Sequence, residues 1–390
     1  MLSGTELNKA CDAVQDRLQQ VNTLYLKKIA AQIRKIGEMN QTSINRMVVM
    51  AEIIDDATEI TKALQAATSL NIKQVQALYT KALQDVYTDP RFTRAFAAGL
   101  TVPTVDRERL IQYTRSVAMQ TAVSMINLSN TTAVLPTYQA TADRAIWAVS
   151  SGLDSYSGAM RDAIRQLGYA GMQVHYASGY HRRLDTAIRQ NIVDGTRQIA
   201  MHGAQVVGEI LGYDAVEISA HARSAPDHEP VQGRVFLNAE FAKMQAGQAF
   251  SDTAGHSYKG FRRPIAEWNC MHFALPFSTT YSKPRWTDAQ LQAFHDDNHA
   301  GVDIDGKTRT KYECVQMMRK IETEVRKQKD LAIMATAAND QQLREECQLK
   351  INGMMAKYGQ IAKAAGLTEH RNRTVVEGFR PVKLKKAAAP

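Results

Sequence analysis

No stretch of eighteen consecutive apolar residues occurs in this 390-residue chain, so no membrane-spanning helix is expected. The first thirty residues lack the charged, apolar and small-residue order of a secretion signal, so none is expected. Four cysteines, Cys11, Cys270, Cys314 and Cys347, are scattered without a C-x-x-C pair. That distribution points to free thiols in a reducing compartment rather than to a disulfide framework. Common catalytic signatures are missing too: G-x-x-x-x-G-K-[ST], G-x-G-x-x-G after a strand, H-E-x-x-H and G-x-S-x-G do not occur. The strong signals for a nucleotide-binding enzyme, a zinc protease or a serine hydrolase are therefore gone. Histidine is absent from the first 130 residues, which leaves that region little chemistry beyond packing.

What is present favours helix. Hydrophobic content of 44% and charge of 22% belong to a folded chain, and aromatics are modest at 7%. "SGTE", Ser3 to Glu6, has capping-box spacing. After it Leu7, Cys11, Val14, Leu18, Val21, Tyr25, Ile29, Ile33 and Ile36 recur at steps of three and four. They mark one apolar stripe on a long helix ending near Gly37. Further helices are expected over 43–64 and 72–87, the second stopped by Asp89-Pro90, and again after Pro103. "SNTTAV", residues 129–134, with Pro136 marks a break.

The middle region alternates element types. Helices are expected over 157–168 and 182–212, the second burying Leu184, Ile188, Ile192, Ile199, Val206 and Ile210 and stopping at Gly212. "AVEIS" (215–219) and "GRVFL" (233–237) are β-prone, and "AEWNCMHFALPF" (266–277) closes the region as a further short extended segment. The glycines 247, 255 and 260 punctuate a loop-rich insert. After Pro284 helix returns, with an antiparallel helical pair joined near Asn339-Asp340 and a basic, structureless end "RPVKLKKAAAP". The expected fold is mainly α with a small central α+β domain, long amphipathic helices flanking a short mixed or antiparallel sheet. The expected division is a helical region 1–130 for partner docking, a core 131–285, and a helical pair with basic tail 286–390.

The chemistry concentrates in "VEISAHARSAPDHEPVQGRVF", residues 216–236, and in "WNCMH", residues 268–272. Imidazole and thiolate are zinc ligands, so His221, His228, Cys270 and His272 are candidates for a structural zinc site. Cys270 and His272, one residue apart, fall on one face of a strand. The spacings H-x6-H and C-x-H fit no usual zinc pattern, however. The favoured reading is that these side chains brace loops, since an imidazole can donate from one nitrogen and accept on the other. No cofactor is then required. A catalytic reading, histidine as base and Cys270 as nucleophile, ranks lower, because a lone cysteine is more often a small buried hydrophobe. Trp268 reads as a core anchor. His175, His181, His202, His295, His299 and His370 read as surface or packing residues.

The net charge is +9, and seven of those charges lie in residues 301–390, which hold eighteen basic and eleven acidic side chains. Arg380, Lys383, Lys385 and Lys386 could meet phosphates or an acidic protein face. A solvated basic tail is the simpler reading.

On "NLSNTTA" (127–133), "SGYHRRLDTAIRQNI" (178–192), the two motif stretches above and "RKIETEVRKQKD" (319–330), the sequence resembles the phage minor capsid protein 2 family, related to the Mu F-like head morphogenesis proteins. The resemblance runs from about Leu128 onward. It implies a virion structural component without catalytic activity, associated with the portal and the inside of the head shell. Its partners would be the portal, major capsid or scaffold proteins, and packaged double-stranded DNA. Assembly would take place in the bacterial host cytoplasm. The family's loop motif falls on His221, Pro226, His228, Gln232 and Gly233, and its second motif on Asn269, Cys270 and His272. Two departures stand out: Ala225 where the family has arginine before the proline, and Met271 where it has arginine between cysteine and histidine. Two competing functions are a metal-dependent hydrolase or nuclease built on the His/Cys cluster, and a DNA-binding assembly factor acting through the basic C-terminal region.

Overall fold

The computed structural model describes residues 4–38, 43–130, 161–162, 164–165, 171–175, 181–252, 255–259, 264–265 and 270–384. The expected cap at Ser3, the break at 131–136, most of the helix at 157–168, Gly260, Trp268, Asn269, Lys385 and Lys386 lie outside these residues.

Helix α1 (Gly4–Glu38) carries the expected stripe: Cys11, Val14, Leu18, Val21, Tyr25, Ile29 and Ile33 are all buried. Helix α2 runs unbroken over Ser43–Tyr87, where two helices were expected. Two polar side chains of the stretch between them are engaged away from the helix's free amides. Thr68 Oγ1 donates back to the Leu64 carbonyl at 2.8 Å, and Asn71 Oδ1 accepts from Arg17 at 2.9 Å, so neither competes for the helix's own amides. Asp89-Pro90 ends α2 as expected and also starts α3 (Pro90–Ala97): Asp89 caps it by accepting from the Arg91 amide at 3.1 Å, and Pro90 suits the first turn. Helix α4 follows over Thr104–Asn130.

Strands β1 (Gln173–His175) and β2 (His181–Arg183) pair antiparallel, so the residues expected to open the next helix first make a ladder. Helix α5 (Leu184–Ile210) buries Leu184, Ile188, Ile192 and Ile199 as expected. Near its end Val207 is the fully buried residue, while Val206 and Ile210 are half-buried. The central sheet is antiparallel in the order β4-β3-β7, from β3 (Ala215–Ile218), β4 (Val235–Leu237) and β7 (Ala274–Phe277). Val216 lies opposite Phe236 on one side and Pro276 on the other. Helix α6 (Asn238–Gln245) and the small ribbon β5 (Phe250–Ser251) with β6 (Ser257–Tyr258) close one core of Val216, Ile218, Val231, Phe236, Met244, Phe250, Tyr258, Ile265 and Ala274. Gly208 lets α5 approach the sheet, since a Cβ there would sit 2.6 Å from the Pro276 ring.

Helix α7 (Asp288–His299) starts in a capping box, with the Gln290 amide donating to Thr287 Oγ1 at 3.3 Å and Gln290 Oε1 accepting from the Thr287 amide at 2.9 Å. A hairpin of β8 (Val302–Ile304) and β9 (Lys307–Arg309) follows, turning on Asp305 and Gly306, both at positive φ. That Asp-Gly turn went unread in the sequence, although it is a strong hairpin signal. The helical pair α8 (Lys311–Ala337) and α9 (Gln341–Ala365) is joined where expected: Asn339 takes φ 59°, and Asp340 caps α9 by accepting from the Leu343 amide at 2.9 Å.

The chain's contacts gather into two compact units, each drawn from three stretches: residues 1–11, 72–123 and 190–314, and residues 12–71, 124–189 and 315–390. Every boundary between these stretches falls inside a helix. Of the end read as structureless, 380–390, only residues 380–384 are described. Residues 375–384 form no helix or strand, yet their backbone is tied down: Glu377 O accepts from Thr23, Val382 N donates to Gln348 at 3.1 Å, and Arg380 O accepts from Arg344 at 3.4 Å. Polar side chains on α1 and α9 supply the partners that a sheet would otherwise provide.

Candidate functional site

The loop from β3 to β4 is shaped before its side chains converge. Ile218 is paired through both backbone groups: its amide donates to Arg234 O at 2.9 Å, and its carbonyl accepts from Gly233 N at 2.8 Å. Ser219 ties the strand's end to the second motif twice, donating its amide to Phe273 O at 2.8 Å and accepting from Phe273 N on its hydroxyl at 2.9 Å. Gln232 Oε1 accepts from the His221 amide at 3.2 Å. The Ala225 carbonyl accepts from the amides of both His228 and Glu229 at 3.0 Å. Gly233 is required on two counts, with φ 70° and a place for Cβ only 2.3 Å from Leu291 Cδ2.

On that frame His228, Cys270 and His272 meet, each almost wholly buried. Cys270 Sγ lies 3.5 Å from His228 Nδ1 and 3.6 Å from His272 Nδ1. The outer nitrogens have their own neighbours: His272 Nε2 stands 3.2 Å from Ser224 Oγ, and His228 Nε2 stands 3.8 Å from an Asp227 carboxylate oxygen. His221 is brought to the cluster by its ring, stacked on His272 with centroids 4.5 Å apart, while its Nδ1 lies 3.1 Å from the Ala222 carbonyl. Burial lowers the His272 pKa to about 3, helped by the neighbouring His221 and His228 and opposed by Asp227. The imidazole is therefore neutral at any ordinary pH. Of the expected residues, His221, Gln232 and Gly233 shape or flank this cluster, and Pro226 lies in the turn between Ala225 and His228.

Two guanidinium groups stand close to the motif residues in this chain, Arg197 and Arg223. Arg197 reaches over from α5, donating to the Cys270 carbonyl at 2.6 Å and lying 3.1 Å from Met271 Sδ. Arg223, held at φ 62°, lies 4.0 Å from the Asp297 carboxylate.

A second group was missed from sequence. Glu229 meets His295 Nδ1 at 3.5 Å and His299 Nε2 at 3.0 Å, on the exposed face of α7. Two histidines four apart on a helix share a face, so the spacing carried a signal; Glu229 directly after His228 did not. Both His/acid and His/Cys groups offer ligand atoms within 4.8 Å of one another. In the basic tail Arg380 and Lys383 are exposed.

The family model for phage minor capsid protein 2 matches residues 2–360 of the chain. The match includes the N-terminal helices, beyond the region of resemblance read from the sequence. No curated protein and no solved structure matches. No described helix is long and apolar enough to cross a membrane.

Proposed function

The chain belongs to the phage minor capsid protein 2 family, a minor component of a phage head, and from that premise we propose that it works as a structural adaptor between the portal and the inner head shell. On this reading it acts in head assembly and in genome packaging or delivery, and its work is attachment rather than turnover of a substrate. Residues 1–130 carry the docking surface, 131–285 the braced core, and the basic C-terminal region faces packaged DNA or an acidic head protein.

The observation that carries the docking reading is a second apolar face on α4. Leu110, Thr114, Val117, Ala118 and Thr121 are buried on one side. Val105, Ile111, Met119 and Val123 are exposed on the other, Met119 at 69%. At 100° per residue these four fall within about a third of the helix circumference. A helix apolar on two faces has one more than its own fold uses, and exposed apolar patches with polar neighbours mark protein contacts. Glu108, Gln112 and Arg115 supply the polar neighbours here.

The test is incorporation into particles. Met119→Asp with Val123→Asp should leave the circular dichroism and melting of the full chain unchanged while its abundance in purified proheads falls at least tenfold by mass spectrometry. Pull-down of the co-expressed portal by the full chain should fall in parallel. Incorporation and portal capture at wild-type levels would overturn the assignment of this face.

A further inference from the structure

We propose that His228 Nδ1, Cys270 Sγ and His272 Nδ1 are three ligands of one Zn²⁺ ion, which locks the β3–β4 loop to the segment entering β7. Ordinary zinc bonds, about 2.3 Å to sulfur and 2.0–2.1 Å to nitrogen, set at a tetrahedral angle, place each nitrogen about 3.6 Å from the sulfur. The two observed separations are 3.5 Å and 3.6 Å. Both histidines turn the same nitrogen, Nδ1, toward the sulfur.

The outer contacts fit the same state. With both Nδ1 atoms ligated, each Nε2 carries the proton. His272 Nε2–H then donates to Ser224 Oγ, and His228 Nε2–H faces the Asp227 carboxylate. Hydroxyls and carboxylates behind ligating histidines fix the tautomer and the ring orientation in this way. Without metal, the sulfur meets the two rings through weak contacts at 3.5 Å and 3.6 Å. Thiolate with two imidazoles is a donor set suited to zinc. On binding, the thiol proton leaves to solvent, so each ion taken up by the thiol form releases one proton.

The exposed group of Glu229, His295 and His299 begins at the very next residue and could also take a divalent ion. Its donors are one carboxylate and two half-exposed imidazoles, with no sulfur, so the two sites are distinguishable by spectroscopy. The full-length protein, purified, stripped with chelator and reloaded with Co²⁺, should show a thiolate-to-cobalt charge-transfer band in the near-ultraviolet. Equimolar Zn²⁺ should abolish the band. Protein isolated without added metal should carry one zinc per chain by mass spectrometry, and chelation should lower its melting temperature. Cys270→Ser should reduce zinc content at least tenfold, whereas Cys314→Ser and His299→Ala should leave the band intact. A folded wild-type protein that binds neither ion, or a band that survives Cys270→Ser, overturns the proposal. Loss of the bound metal in His299→Ala with retention in Cys270→Ser overturns it in favour of the exposed group. Should Cys270→Ser fail to fold, the wild-type cobalt spectrum decides by itself.

Discussion

The two compact units each bury a polar centre, and the two centres are built from opposite chemistry. In the first, His228, Cys270 and His272 are imidazole and thiol side chains gathered at hydrogen-bonding range. In the second, Arg183 is buried between Asp185, at 3.2 Å, and Asp330, while Arg326 lies 3.6 Å from Asp185 and Asn22 donates to Asp330 at 3.3 Å. Asn22 also accepts from the Met172 amide at 2.9 Å, so the charged centre pins the β1–β2 hairpin to α1 and α8. Both centres fix segments that have little regular ladder. The charged one sets two carboxylates against two guanidinium groups, whereas in the His/Cys one two ring nitrogens lie 3.5 Å and 3.6 Å from a sulfur. The buried ion network is therefore expected to answer to acid and to single truncations, and the zinc proposed for the His/Cys centre would make that centre answer to chelation.

The largest expected effect is on the charged centre. Arg183→Met leaves two buried carboxylates facing each other and should lower stability by about 3–5 kcal/mol, read from the midpoint of urea unfolding. A loss under about 1 kcal/mol would mean that the acids neutralise without cost, and the contrast between the centres would collapse. On the His/Cys side, Gly233→Ala should cost about 3 kcal/mol, since it combines a positive φ with a clash against Leu291. Combining it with Leu291→Ala should recover part of that loss in a double-mutant cycle; full additivity would refute the contact as the cause.

Acid separates the centres further. Burial pushes the Asp185 carboxyl up, but the guanidinium groups of Arg183 and Arg326 outweigh it and hold the pKa at about 2, against an ordinary 3.8. A folded-state pKa below the unfolded one contributes stability that is complete above 3.8 and is lost as pH falls toward 2. The contribution is about 2 kcal/mol. Melting temperature should fall across that window in the wild type and fall less in Asp185→Asn; equal slopes would reject the assignment. The smallest effect is expected at the exposed pair. His299→Ala should change stability by no more than about 0.5 kcal/mol in thermal melts, because its partner Glu229 keeps other contacts and the site is open to solvent.

Much of the architecture was legible because helices announce themselves locally. The stripe from Cys11 to Ile33, the join at Asn339-Asp340 and two strands of the central sheet were read from period and turn chemistry alone, while the third, Ala274–Phe277, is the last part of a longer segment read as extended. Errors fell where tertiary partners changed a local preference. Thr68 and Asn71 are poor helix residues whose side chains are engaged, and α2 runs on through them. His181–Arg183 pairs with a strand that sequence gave no reason to place beside it. The tail is held by single side chains of α1 and α9, which no pattern in the tail itself reveals.

Periodicity acts over three or four residues, and that reach determined the mainly helical class, the strand positions and the candidate residue types. Which histidines meet, and through which nitrogen, was decided only by the fold. His228 and Cys270 lie 42 positions apart and come together because β3 pairs with both β4 and β7. His295 and His299 find Glu229 across about 70 positions by the docking of α7. Contacts at such separations depend on the register and packing of whole elements, and no local preference in the intervening chain encodes them.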